Sequence, residues 1–171
     1  MIVVSNASPL IILAKISHFN LPQRLFNKIT ISEEVWDEVV VKGVGLPGST
    51  ERQQASQSGQ SGWINIAKLV NSAQLTAWRN KYSLGAGELS TILLAKEAQA
   101  DVALIDERGA RLLAQSEGVP VLGTVGLLEL GYRSGGVTDL RLAYQTMLAQ
   151  GAHIDKQILN QSLARFNLSP I

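Results

Sequence analysis

Apolar positions along the chain keep two different periods, and the switches between them mark out the elements. Ile2-Val3-Val4 is an unbroken apolar run of the kind that forms a buried strand, and the small residues from Ser5 to Ser8 lead out of it into a helical pattern. That helix is predicted over residues 9–16, with Leu10, Leu13 and Ala14 on one face and Pro9 acceptable in its first turn. A second short helix is expected over 21–26 and a short strand at Ile29-Thr30-Ile31. Ser32, followed by Glu33, Glu34 and Val35, carries the signs of a helix start, a capping hydroxyl with acids in the first turn. It places Glu38 one turn further on.

The stretch 43–62 breaks the pattern. Rich in Gly, Ser and Gln, it has too little apolar surface to repay the entropy of ordering, so a mobile loop is expected, placed as a candidate lid before Trp63-Ile64-Asn65-Ile66. The alternation then becomes regular: helix 87–99, strand 102–105, helix 107–117, strand 119–121. This predicts an α/β fold with a parallel sheet. Residues 125–167 read as three helices broken at Gly131, Gly135-Gly136 and Gly151-Ala152, with the C-terminal helices beginning near 137. No repeat and no second domain is discernible, so 1–171 is expected to be a single domain.

Composition narrows the chemistry. With 171 residues and 46% hydrophobic content the chain can bury a sizeable core. The absence of cysteine excludes disulfides and thiolate metal sites and leaves His18 and His153 as the only imidazoles. A metal site would therefore have oxygen ligands or one of these two histidines, which favours hard cations over zinc. A net charge of +1 gives no general attraction to polyanions, so nucleic-acid binding would depend on local Lys and Arg clusters. The N-terminus lacks the features of a secretory signal and every apolar run is too short or too broken to cross a bilayer. A cytoplasmic protein without a membrane partner is expected. The first strand is followed by no phosphate-binding glycine fingerprint, which argues against a nucleotide-binding α/β protein.

The acids gain meaning from their positions. Asp106 follows the strand at 102–105 directly, at the carboxyl end where ligands gather in open parallel sheets. Taken alone, Asp-Glu-Arg ahead of a helical pattern reads equally well as an N-cap. Glu88 lies in a first helical turn behind Gly85-Ala86-Gly87, where the helix dipole favours a carboxylate with or without chemistry. Glu38 and Glu107 also fit solvated helix positions.

What distinguishes these acids is the set of blocks that carries them. Val4-Ser5-Asn6-Ala7-Ser8-Pro9-Leu10-Ile11 resembles the opening V-S-D-x-S-P-L-I of PIN-domain proteins, with Asn6 in place of the family's Asp. Ile31-Ser32-Glu33-Glu34-Val35-Trp36-Asp37-Glu38-Val39 resembles the second block, a strand and a helix bearing an acid. Leu84-Gly85-Ala86-Gly87-Glu88 resembles the L-x-x-G-E block of a subgroup close to the VapC-type toxin ribonucleases. Leu104-Ile105-Asp106-Glu107-Arg108 with Ala110-Arg111, then Val121-Leu122-Gly123-Thr124-Val125-Gly126-Leu127-Leu128, resembles that subgroup's last two blocks.

The resemblance covers residues 1–136. It implies a three-layer α/β/α sandwich around a parallel sheet of about five strands, as the PIN fold has. It implies acids at the carboxyl ends of strands that bind Mg²⁺ or Mn²⁺ and cut RNA, in one-metal or two-metal fashion. The function implied is a metal-dependent endoribonuclease, the toxin of a toxin–antitoxin pair, with RNA as substrate, an antitoxin protein as partner and a homodimer as assembly. Carried over position by position, Glu38, Glu88 and Asp106 form the metal-binding and catalytic core, and Asn6 is a neutral fourth ligand. Glu107 becomes an extra ligand or a water-positioning base, while Arg108 and Arg111 fall where RNA phosphates pass. The amide oxygen of Asn6 can coordinate a hard cation but offers no charge to offset it. Two readings follow: a weakened ribonuclease, or a catalytically inactive PIN scaffold for protein binding. Trp36, Trp63 and Trp78 would serve the scaffold's interface or, more simply, the core.

Overall fold

The apolar runs come together as strands β1 (Val3–Ser5), β2 (Ile29–Ser32), β3 (Ile64–Ala67), β4 (Val102–Leu104) and β5 (Val121–Leu122). They pair in one sheet in the order β3-β2-β1-β4-β5, every pair parallel. Val3, Val4 and Ser5 stand opposite Val102, Ala103 and Leu104, and Val4 also pairs with Thr30. The computed structural model describes residues 1–41 and 62–171, so the loop expected over 43–62 lies outside the described residues except for Gly62. Among the described residues the helices are α1 (Ala7–Lys15), α2 (Leu21–Phe26), α3 (Glu33–Trp36), α4 (Ser72–Lys81), α5 (Ala86–Glu97), α6 (Arg108–Ser116), α7 (Thr124–Arg133), α8 (Leu140–Ala149) and α9 (Lys156–Arg165). A π-helical turn, Asp37–Val41, runs on from α3.

Successive side chains of a strand point to opposite faces of a sheet, and the core divides accordingly. Val3, Leu104, Ile29 and Ile31 join a cluster with Leu10 and Leu13 of α1, Leu127 of α7, Tyr144 of α8 and Leu163 of α9. Val4, Ala103 and Ile105 join a second with Leu75 and Trp78 of α4, Ile92 of α5 and Ala110 of α6. Two cores on the two faces of one sheet make three layers, the α/β/α sandwich. Parallel strands covered on both sides carry apolar residues without alternation, which is why 2–4 and 102–105 read as continuous runs. No helix among the described residues is long and apolar enough to cross a membrane.

Several expectations need correction. Helix α4 was not anticipated: its buried residues are only Leu75 and Trp78, and its start depends on the Asn71 side chain accepting from the Gln74 N–H at 3.1 Å. Gly131 does not break a helix but sits inside α7, where a Cβ would stand 2.8 Å from methyl groups of both Leu21 and Val137. Glycine there permits close packing rather than a turn. The strand expected at 119–121 begins only at Val121. Trp63 and Trp78 are buried in the two cores and Trp36 packs partly buried against the first, so the tryptophans do not gather into a surface.

Candidate active site

Strand order reverses between β1 and β4, since the chain continues from β1 to β2 on one side and β4 lies on the other. The crevice outside the carboxyl ends at such a switch point is where open α/β sheets bind ligands. Asn6 follows β1 directly, its N–H extending the ladder to the Leu104 carbonyl at 3.0 Å, and Asp106 lies just past β4. Asn6 is also the N-cap of α1, a position from which an Asn side chain ordinarily accepts from the N2 or N3 N–H. Residue N3 is Pro9, which has no N–H, and the side chain makes no capping bond. Asn6 Oδ1 is left buried without a hydrogen-bond partner among the described residues, in a residue only 2% exposed. An acceptor in that state costs about 1–3 kcal/mol.

Glu38 reaches the same place from the π-helical turn, a distortion that recurs at functional sites. A Cβ built on Gly87, in the first turn of α5, would lie 2.6 Å from Glu38 Oε2 and 3.2 Å from Asn6 Oδ1. Both oxygens thus face one point in front of that helix.

Asp106 is held from the next strand. Its Oδ1 accepts from the Thr124 N–H at 2.7 Å and its Oδ2 from the Thr124 hydroxyl at 2.6 Å. It thereby supplies the cap that Gly123, the N-cap of α7, has no side chain to give. Burial pushes the Asp106 carboxyl above the usual carboxylate range, opposed by the Thr124 hydroxyl, the Thr124 N–H and the positive charge of Arg111. Arg111 Nη1 donates to the Ile105 carbonyl at 2.8 Å, and it and Asp106 Oδ1 each stand 3.0 Å from where a Cβ on Gly123 would be.

The remaining acids serve helix ends. Glu88 Oε2 accepts from the Gly85 N–H at 2.5 Å, across the first turn of α5. Glu107 is the N-cap of α6 and accepts from the Ala110 N–H at 2.5 Å, so the capping role that could have fallen to Asp106 belongs to its neighbour. Arg108 is exposed at the start of α6, whereas Arg111 is partly buried and turned toward Ile105 and Asp106. The structure therefore brings Asn6 together with Glu38, and Asp106 with Arg111. Among the described residues no group of three or more Asp, Glu or His side chains could hold a metal ion. Sequence reasoning gave no role to Thr124 or Gly87, although both leave a signal: a hydroxyl directly after a strand run, and a glycine inside the first turn of an otherwise good helix.

The donors that converge are amide and carboxylate oxygens, with no imidazole or sulfur, and one of them is buried without a partner. That donor set fits a hard divalent cation. An all-parallel sheet covered on both faces, with such oxygens at its switch point, defines a doubly wound α/β protein, a class that binds its ligands at the carboxyl edge of the sheet. A family model described as a PIN domain matches residues 2–168, and the chain belongs to the PIN-domain family, whose nuclease-type fold implies nucleic-acid binding. No curated protein matches the chain.

Proposed function

We propose that the chain is a metal-dependent endoribonuclease of PIN type, weakened by Asn6, that acts as the toxin of a toxin–antitoxin pair. The observation that supports this reading is the buried Asn6 Oδ1, without a partner among the described residues, facing the same point as Glu38 Oε2 at the switch point of the sheet. Asn6, Glu38 and Asp106 are the residues that would hold Mg²⁺ or Mn²⁺, and Glu88 would join them by sharing or giving up the Gly85 N–H. When bound, the ion supplies Lewis-acid polarisation of a phosphodiester and a more acidic water. Thr124 fixes the Asp106 carboxylate with one donor on each oxygen. Arg111 keeps a positive charge beside it, Arg108 at the exposed start of α6 meets backbone phosphate, and Glu107 at the rim orients water. RNA is the substrate, with an antitoxin protein and a second copy of the chain as partners.

One observation favours the second reading, a PIN fold kept for protein binding: the lack, among the described residues, of any acid or histidine trio able to hold a metal. A single-turnover assay on a mixed RNA pool with Mn²⁺ separates the two, comparing wild type, Asn6→Asp, and Asn6→Asp with Asp106→Asn. A carboxylate about 4 Å from the ion at an effective dielectric near 20 is worth up to about 4 kcal/mol, so even a heavily screened remainder gives Asn6→Asp roughly 10-fold faster cleavage. If Asn6→Asp is as inactive as the double variant, the nuclease reading fails and the scaffold takes its place.

A further inference from the structure

Gly87 occupies a helical position that has no need of glycine. It lies in the first turn of α5 and is absent from the glycines with positive φ, Gly118, Gly135 and Gly151. Alanine would be the better helix former there. What glycine provides is space. The Cβ it lacks would stand 2.6 Å from Glu38 Oε2, 3.2 Å from Asn6 Oδ1 and 3.7 Å from Val35 Cγ2.

The surroundings decide which group would yield to a Cβ. The Gly87 carbonyl accepts from the Thr91 hydroxyl at 2.7 Å and the Ser90 hydroxyl at 3.1 Å, both fully buried. Ser90 Oγ lies 2.7 Å from Ser32 Oγ, and Ser32 caps α3, the helix that leads to Glu38. This chain of hydroxyls ties the first turn of α5 to the end of β2 and stops Gly87 from backing away. Asn6 is only 2% exposed and its Oδ1 stands further off, at 3.2 Å rather than 2.6 Å. Glu38 is exposed at the end of a flexible side chain and is the group that moves.

We propose that Gly87 is a positioning residue for the cation. By presenting no side chain it leaves open the point that Asn6 Oδ1 and Glu38 Oε2 share, and the buried hydroxyls of Ser32, Ser90 and Thr91 hold it at that distance. The proposal rests on the metal-dependent reading given above. It predicts that Gly87→Ala separates the two oxygens while leaving the fold intact.

The test uses the full chain and Mn²⁺ alone, titrated by electron paramagnetic resonance of the free ion, with a thermal melt in chelator as the second readout. Wild type, Gly87→Ala, Glu38→Gln and the double variant are compared, each also carrying Asn6→Asp. The expected result is about a 10-fold or greater loss of Mn²⁺ affinity in Gly87→Ala, with a metal-free melt no lower than that of its parent. Once Glu38→Gln is present, Gly87→Ala should weaken binding by less than about 2-fold, because both changes remove the same contact. Wild-type affinity in Gly87→Ala, or losses that simply add, would overturn the role of Gly87 while leaving the metal reading in place. A lower metal-free melt would also overturn it, since the backbone rather than Glu38 would have given way. Absence of Mn²⁺ binding in both wild type and Asn6→Asp would remove the metal reading and this proposal with it.

Discussion

Replacing Thr124 with Val removes one hydroxyl, the donor 2.6 Å from Asp106 Oδ2, and leaves the Thr124 N–H at 2.7 Å from Oδ1. A hydrogen bond to an ionised carboxylate is worth about 1.5–3 kcal/mol, and Thr124 is fully buried, so water does not take its place. In a domain of this length a loss of about 2 kcal/mol lowers Tm by about 4–8 °C. The cost has a definite pH dependence. Burial raises the folded pKa of Asp106 above the ordinary 3.8, so between 3.8 and that raised value the native state holds more protons than the unfolded chain. Stability therefore falls as pH climbs through the window. The Thr124 hydroxyl opposes the shift by favouring the ionised form; its loss pushes the pKa further up and weakens the native state most where Asp106 is ionised. Near the lower edge of the window Asp106 is protonated in both proteins, and the difference shrinks to that of a neutral hydrogen bond, about 1 kcal/mol. Urea unfolding of wild type and Thr124→Val across acidic to neutral pH reads the difference directly, with Asp106→Asn as the background in which it should lose its pH dependence. A Thr124→Val cost that stays constant with pH, or grows toward acid, would refute the reasoning.

Three further outcomes follow from single atoms. Tyr144 is fully buried with its hydroxyl 2.6 Å from Ser162 Oγ, and burial pushes its pKa from 10.0 up to about 12. The native state keeps a proton that the unfolded chain loses over that range, so stability should fall as pH rises from 10.0 to about 12, and Tyr144→Phe should flatten the fall in an alkaline unfolding series. Asn6→Asp should lower Tm in chelator, because it buries a charge facing Glu38. Mn²⁺ at about 100 times its Kd should then return about 2.7 kcal/mol, a reversal that paired melts would show or exclude. Pro9→Ala restores the N3 N–H of α1; Asn6 Oδ1 should turn to it for a cap worth about 1 kcal/mol, and Mn²⁺ affinity measured by titration should drop.

The sheet was legible because parallel strands covered on both faces leave continuous apolar runs, and β1, β2 and β4 were placed to within two residues from those runs. Helix α4 was not legible, because two buried residues in ten make too weak a stripe. Gly131 misled because a glycine that admits Leu21 and Val137 looks, in one dimension, the same as one that ends a helix. The candidate site could be read from the sequence as a set of positions but not as an arrangement. Asn6, Glu38 and Asp106 could be named from their blocks, but the role of Thr124 depends on β5 lying beside β4. That of Gly87 depends on α5 beginning against the ends of β1 and α3, which no local spacing records.

The ambiguity of the acids has a common physical origin. In a parallel sheet the carboxyl ends of strands are also where helices begin, so ligand-binding acids and orphan helix N–H groups crowd into the same edge. Glu88 answers the Gly85 N–H, Glu107 that of Ala110, and Asp106 that of Thr124. Each of these carboxylates satisfies a local demand that would retain it even in a protein without chemistry. Asn6 stands apart because its side chain makes no capping bond, with Pro9 removing the N3 donor, and Glu38 stands apart because it comes from the π-helical turn rather than from the start of α3. Asn6 Oδ1 and Glu38 Oε2 are the oxygens that face a single point over Gly87. Asn6 Oδ1, buried there without a partner among the described residues, sustains a cost of about 1–3 kcal/mol, and a ligand at that point is what would offset it.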